Sequence, residues 1–167
     1  MTIAESLLPE FDREMGLTRR VLERVPDGQF AWKPHEKSMT LGRLAEHLAE
    51  LPQWLAVSIT ESGIDMSTQR PADYQSPDTR TAVLAMFDRN VATARSALTG
   101  RSDAELMAPW TLKNHGKEIF TMPKVAVVRG FAMNHMIHHR GQMMVYLRLK
   151  DVAVPSIYGP SADENPF

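Results

Sequence analysis

The sequence predicts an all-α fold, namely a four-helix bundle with irregular connections and a short C-terminal tail. Four segments of similar length repeat apolar residues at spacings of three and four, which is the period of an amphipathic helix. Segments rich in Pro, Gly and Ser separate them, and no convincing run of strand residues stands between them. Because 167 residues is the usual size of one domain, we expect a single bundle domain over residues 1–167.

The first two helices are predicted over residues 3–25 and 40–61. Pro26 and Gly28 follow the first of these segments and end it. Thr40 is a suitable N-cap for the second, because its hydroxyl can accept a hydrogen bond from the first turn. The buried stripe of the second helix is predicted to contain Leu41, Leu44, Leu48, Leu51 and Leu55.

The third and fourth helices are predicted over residues 79–98 and 123–150. A polar linker of turn-forming residues, about 65–77, precedes the third helix. The least regular part of the chain, residues 101–121, could form a short hairpin about residues 114–116. Three prolines and a glycine in residues 154–167 predict an ordered or partly ordered tail that is not helical.

Composition excludes several classes of function. Nineteen basic and twenty acidic residues nearly cancel and form no basic block, so tight binding to nucleic acid is not expected. The N-terminal residues lack the pattern of a secretory signal, and no apolar run has the ~18 residues that a membrane span needs. We therefore expect a cytoplasmic protein. Cysteine is absent, so a metal site would need His, carboxylate or carbonyl ligands.

Two histidines of the predicted fourth helix, His135 and His139, are four residues apart. At about 100° per residue they lie about 40° apart on the same helix face. The apolar stripe around them includes Val128, Ala132, Met143 and Tyr146. Buried histidines need polar partners, and one shared metal ion satisfies both rings.

A third histidine, His47, lies at the edge of the leucine stripe of the second helix. With His135 and His139 it would supply three nitrogen ligands and leave one coordination position open. Catalytic zinc sites have this arrangement, whereas structural zinc sites usually have four protein ligands. The alternative is that His47 is a half-exposed residue and that the pair only forms hydrogen bonds.

Three motifs together resemble the DinB-like (DinB/YfiT) metalloprotein family. They are the Leu-Gly-x-x-x-x-His segment that ends at His47, the His-x-x-x-His pair of His135 and His139, and the sequence Val-Pro-Ser-Ile-Tyr-Gly-Pro-Ser-Ala-Asp-Glu over residues 154–164. The resemblance covers essentially the whole chain. It implies that His47, His135 and His139 form a metal triad, that the metal is zinc or nickel, and that the protein forms a homodimer through faces of its bundle.

The resemblance also implies a range of functions, and whether the chain is an enzyme stays open. Some family members are thiol-dependent transferases that act on small electrophiles with a low-molecular-weight thiol such as bacillithiol or mycothiol. A metal-dependent hydrolase is a related possibility. The alternative is a non-catalytic, stress-related bundle in which the metal is structural or absent.

Three further residues near these motifs have competing interpretations. The helical angle of His138 favours a surface position over metal ligation. Gln142 could orient a ligand imidazole, although an ordinary amide on the helix face is the interpretation we favour. Tyr158 is a conjectural cover for the open metal position, brought there by the tail.

Overall fold

The protein is mostly helical, with one small sheet beside the helices. The computed structural model describes residues 1–68 and 73–165. Its helices are α1 (Ile3–Leu22), α2 (Leu41–Thr60), α3 (Arg80–Leu98), α4 (Asp103–Met107), α5 (Lys124–Ala126) and α6 (Asn134–Leu149). Its strands are β1 (Gly63–Asp65), β2 (Pro109–Asn114) and β3 (Lys117–Pro123). A 3₁₀ turn, Met66–Thr68, follows β1, and a π-helical segment, Val127–Met133, joins α5 to α6.

One apolar core lies among the long helices. Helix α2 packs against α3, the π-helical segment and α6, while α1 packs against α3 and α6. The predicted leucine stripe of α2 is buried in this core, as are Phe11 of α1 and Phe87 of α3. The core therefore brings α2 and α6, which carry the three predicted ligand histidines, side by side.

The predicted boundaries of the first three helices are close to the observed ones. Thr40 caps α2 as predicted, because its Oγ1 accepts a hydrogen bond from the Arg43 amide at 3.1 Å. Helix α1 ends at Leu22 rather than at Val25, because the amide of Val25 bonds to the Leu22 carbonyl in a tighter turn. Pro26 explains this ending, since a proline disfavours α-helical geometry in the residue before it.

The expectation of an all-α fold is confirmed only in part: the protein is mostly helical, but its described residues also contain a three-stranded sheet of order β1-β2-β3. The predicted hairpin about residues 114–116 is confirmed: β2 and β3 are antiparallel, and His115 and Gly116 turn between them with positive φ angles. Strand β1 pairs in parallel with β2. A Cβ on Gly63 would lie 2.3 Å from the Thr111 carbonyl oxygen, so this close pairing requires glycine.

The predicted continuous helix over residues 123–150 is interrupted. Residues Val127–Met133 form a π-helical segment, whose wider turn adds a residue relative to an α-helix. Val127 on this segment packs with Trp110 and Leu112 of β2 in a second, smaller apolar cluster, while Val128 faces the main core. The segment therefore ties the sheet to the helices immediately before the histidine pair.

The C-terminal tail is ordered and not helical over the residues that the structure describes, as predicted. Carboxylates hold it: Asp163 accepts a hydrogen bond from the Val154 amide at 2.8 Å, and Glu164 accepts one from the Ser156 amide at 3.0 Å. Glu164 also pairs with Arg20 of α1 and with Arg24, which follows the end of α1. Within the described residues, none of the helices is long and apolar enough to cross a membrane.

Candidate metal centre

Three histidines from two helices meet at one point. Nε2 of His135 lies 3.3 Å from Nε2 of His47 and 2.8 Å from Nε2 of His139. The ligand atoms of all three lie within 4.8 Å of one another. His139 is buried, and the other two are partly buried. The structure thus brings together the three residues that the sequence singled out.

The remaining ring nitrogens of the α6 histidines face oxygen acceptors. Nδ1 of His139 lies 2.7 Å from Oε1 of Gln142, one turn further along α6. His135 donates a ring N–H to the backbone carbonyl of Phe131. Because Nε2 of His135 faces the other two histidines, that donor is Nδ1. Both rings are therefore held in the tautomer that leaves Nε2 with a free lone pair.

Burial keeps these two histidines neutral near pH 7. It is the main cause that lowers the pKa of His135 to about 4, and the neighbouring His139 and His47 lower it further. Burial is also the largest effect lowering the pKa of His139, while the bond to Gln142 acts in the opposite direction. Neutral imidazole is the form that binds metal, so protons do not compete strongly for these nitrogens at neutral pH.

The arrangement fits a divalent metal ion. Two lone pairs that meet at 2.8 Å repel each other unless a cation or a proton lies between them. Zn–N bonds of about 2.0–2.1 Å at tetrahedral angles separate ligand nitrogens by about 3.3–3.4 Å. The 3.3 Å between His47 and His135 matches this spacing, and a small rotation of His139 would bring the second pair to it. A set of three imidazoles suits zinc, nickel, copper and iron.

Aromatic side chains form one wall beside the triad. The Phe131 ring lies 6.1 Å from that of His135 and 5.8 Å from that of Trp54, measured between centroids. Phe131 also packs against Trp110 and Phe120 of the hairpin. The π-helical segment thus presents Phe131 both to the sheet and to the histidines, so an apolar surface adjoins the nitrogen ligands.

The other predicted residues near the motifs occupy distinct places. His138 is exposed, as predicted, and its ring packs 5.0 Å from that of His139. Gln142 bonds to a triad histidine, so the interpretation as an ordinary surface amide is wrong. Tyr158 does not cover the triad: its hydroxyl donates to Glu14 at 2.7 Å and accepts from Arg140 at 2.7 Å.

Two residues near the triad were missed by sequence reasoning. Glu50 lies beside His47 on α2, with Oε2 3.5 Å from Nδ1 of the ring. Its spacing of three residues from His47 was a usable signal, because positions i and i+3 share a helix face. Phe131 could not have been placed from helical angles, because the π-helical turn alters the direction in which it points.

Comparison with known proteins identifies the family. The model of the DinB family matches residues 1–165. The chain belongs to the DinB family. This confirms the resemblance inferred from the histidine motifs and the C-terminal sequence.

Relatives within the DinB family share most of their length with this chain. The uncharacterized protein YrdA of Bacillus subtilis (strain 168) is 28% identical over 165 residues, which cover 96% of this chain and 90% of that protein. A crystal structure of a DinB-like protein from Bacillus cereus ATCC 10987 has a TM-score of 0.72 at 25% identity, covering 94% of this chain and 98% of that one. The DinB-like protein YjoA from Bacillus subtilis has the same fold, with a TM-score of 0.69 at 17% identity over 96% of this chain and 99% of that one.

Proposed function

We propose that His47, His135 and His139 bind a divalent metal ion, most suitably zinc or nickel, and that the protein is a metal-dependent enzyme acting on small electrophiles. The observation that carries this proposal is the convergence of three Nε2 atoms, two of them held as neutral acceptors. Within residues 1–68 and 73–165, no fourth His, Asp or Glu joins the group. Three protein ligands with an open position favour a catalytic site over a structural one.

The reaction we propose is the transfer of a low-molecular-weight thiol to an electrophile, with hydrolysis as the related alternative. A metal ion bound by the triad supplies Lewis acidity, which lowers the pKa of a coordinated thiol or water. The chain lacks cysteine, so the nucleophilic sulfur would come from a cosubstrate such as bacillithiol or mycothiol.

In this proposal, some residues around the triad orient the ligand rings and others form an apolar wall of the site. Gln142 and the Phe131 carbonyl hold two of the rings so that their Nε2 atoms face inward. The half-buried Trp54 and Phe131 side chains offer apolar area to the substrate and limit the access of water. This wall favours electrophiles with an apolar or aromatic body.

The proposed partners are a small-molecule substrate and a second copy of the chain, with no nucleic acid and no membrane. Two apolar residues one turn apart on α6, Val145 and Leu149, are 58% and 55% exposed. Exposed apolar side chains at this end of α6 are compatible with the homodimer that the family resemblance implies.

The test is a paired activity assay on protein loaded with zinc or nickel. Bacillithiol or mycothiol is mixed with 1-chloro-2,4-dinitrobenzene, and p-nitrophenyl acetate serves for hydrolysis. We expect turnover above the uncatalysed rate, its loss in His139→Ala, and its retention in His138→Ala. The last variant is a matched control, because His138 is the adjacent histidine but lies outside the triad. A loaded protein that is inert toward every pair would overturn the proposal of enzymatic activity.

A further inference from the structure

The third histidine of the triad differs from the other two in the surroundings of its second nitrogen. Nδ1 of His47 is buried and makes no hydrogen bond with any group in the described part of the chain. The group that faces it is the carboxylate of Glu50, whose Oε2 lies 3.5 Å away. This distance is a few tenths of an ångström longer than a normal N–H···O bond.

The pair of His47 and Glu50 on α2 repeats an arrangement found on α6. His139 has its acceptor, Gln142, three residues further along the helix, and His47 has Glu50 three residues further along α2. Positions i and i+3 lie on the same face of a helix, so in each case the acceptor lies close to the ring. His135 has another histidine at that spacing and bonds to the Phe131 carbonyl instead.

A cation fixes the position of the Glu50 carboxylate. Nη1 of Arg43 lies 3.1 Å from Oε2 of Glu50 and 3.2 Å from Oε2 of Glu46. The oxygen that Arg43 contacts on Glu50 is the same one that faces His47. The guanidinium thus holds this oxygen on the Nδ1 side of the ring, away from the point where the three Nε2 atoms meet.

We propose that Glu50 is a positioning residue that accepts the Nδ1–H of His47 and so fixes this ring with its Nε2 lone pair toward the metal. The inference rests on the proposed metal-binding function of the triad. Glu50 is then not a ligand, because its oxygen faces the nitrogen opposite to Nε2. A carboxylate that accepts the second N–H of a ligand histidine fixes the ring and strengthens metal binding.

The test compares Glu50→Leu and Glu50→Gln with Glu46→Gln. The last is the matched control: it too removes a carboxylate bonded to Arg43, but the second oxygen of Glu46 accepts a hydrogen bond from Ser76. Metal-free protein is titrated with Co²⁺, followed by its visible absorption, and Zn²⁺ affinity is obtained by competition. We expect Glu50→Leu to weaken zinc binding by about 10–100-fold, Glu50→Gln to weaken it less, and Glu46→Gln to leave it close to that of the unchanged protein.

A second readout separates positioning from a general loss of structure. Long-range ¹H–¹⁵N correlation spectra of the metal-free protein report which nitrogen of His47 carries the proton. We expect the Nδ1–H tautomer in the unchanged protein and in Glu50→Gln, and a mixture of tautomers in Glu50→Leu. An Nε2–H tautomer in the unchanged protein, or unaltered zinc affinity in Glu50→Leu, would overturn the role of Glu50. If the unchanged protein binds no metal, the proposed function fails, and the tautomer of His47 still decides whether Glu50 positions it.

Discussion

Replacing Arg140 with Met is expected to lower the free energy of unfolding by about 3–5 kcal/mol, because it leaves the Glu14 carboxylate buried without its cation. The Arg140 and Glu14 side chains are only 2% and 6% exposed, and Nη2 of Arg140 lies 2.8 Å from Oε2 of Glu14. Nη1 also donates to Thr18 at 3.3 Å. For a chain of this length the loss corresponds to a fall in Tm of roughly 6–20 °C, measured by calorimetry or circular dichroism.

Two further variants test the reason for this loss. Arg95→Met breaks an exposed pair with Asp12 that has similar distances, 2.8 and 3.0 Å, and is expected to lower the Tm far less, because solvent screens the charges of an exposed pair. Combining Arg140→Met with Glu14→Leu removes both buried charges and should restore part of the lost stability. If Arg140→Met unfolds at the same temperature as Arg95→Met, burial of the pair is not what makes it important.

Adding zinc to metal-free protein is expected to raise the free energy of unfolding by about 2.7 kcal/mol when free zinc reaches 100 times its Kd. The gain follows from binding to the folded state alone, because only folding brings α2 and α6 together around the triad. It corresponds to a rise in Tm of roughly 5–11 °C.

The controls for this stabilisation lie within the same helix. His135→Ala should abolish the shift caused by zinc, because it removes the central ring, which contacts both of the others. His138→Ala should keep the shift, because this exposed residue lies outside the triad. An equal shift in both variants would mean that zinc binds elsewhere on the protein.

The helices could be predicted because their signals are local. Thr40 and the leucine spacing fixed the start and buried face of α2, and Gly100 marked the end of α3. The sheet was only partly predictable: the hairpin has a turn at Gly116, but β1 has three residues and depends on Gly63 approaching the distant Thr111. The π-helical segment packs against both the sheet and the core. The spacing of apolar residues in the sequence does not show that a helix has these two neighbours.

The sequence predicts the candidate metal ligands, but it does not predict the groups that orient the ligand rings. His135 and His139 share a helix face by spacing alone, and His47 was added from its place beside the leucine stripe. Glu50, Gln142 and the Phe131 carbonyl act through hydrogen bonds whose geometry depends on side-chain rotamers and tertiary contacts. The buried Arg140–Glu14 pair joins residues 126 positions apart, which no local pattern connects.

The most direct test of the metal centre is elemental analysis of tag-free protein, with His135→Ala purified in parallel. Binding by the triad predicts near one equivalent of zinc or nickel per chain in the unchanged protein and almost none in the variant. If the unchanged protein contains no metal after gentle purification and takes none up when zinc or nickel is added, the three histidines are not a metal site. Equal metal content in the two proteins would likewise contradict binding at His47, His135 and His139.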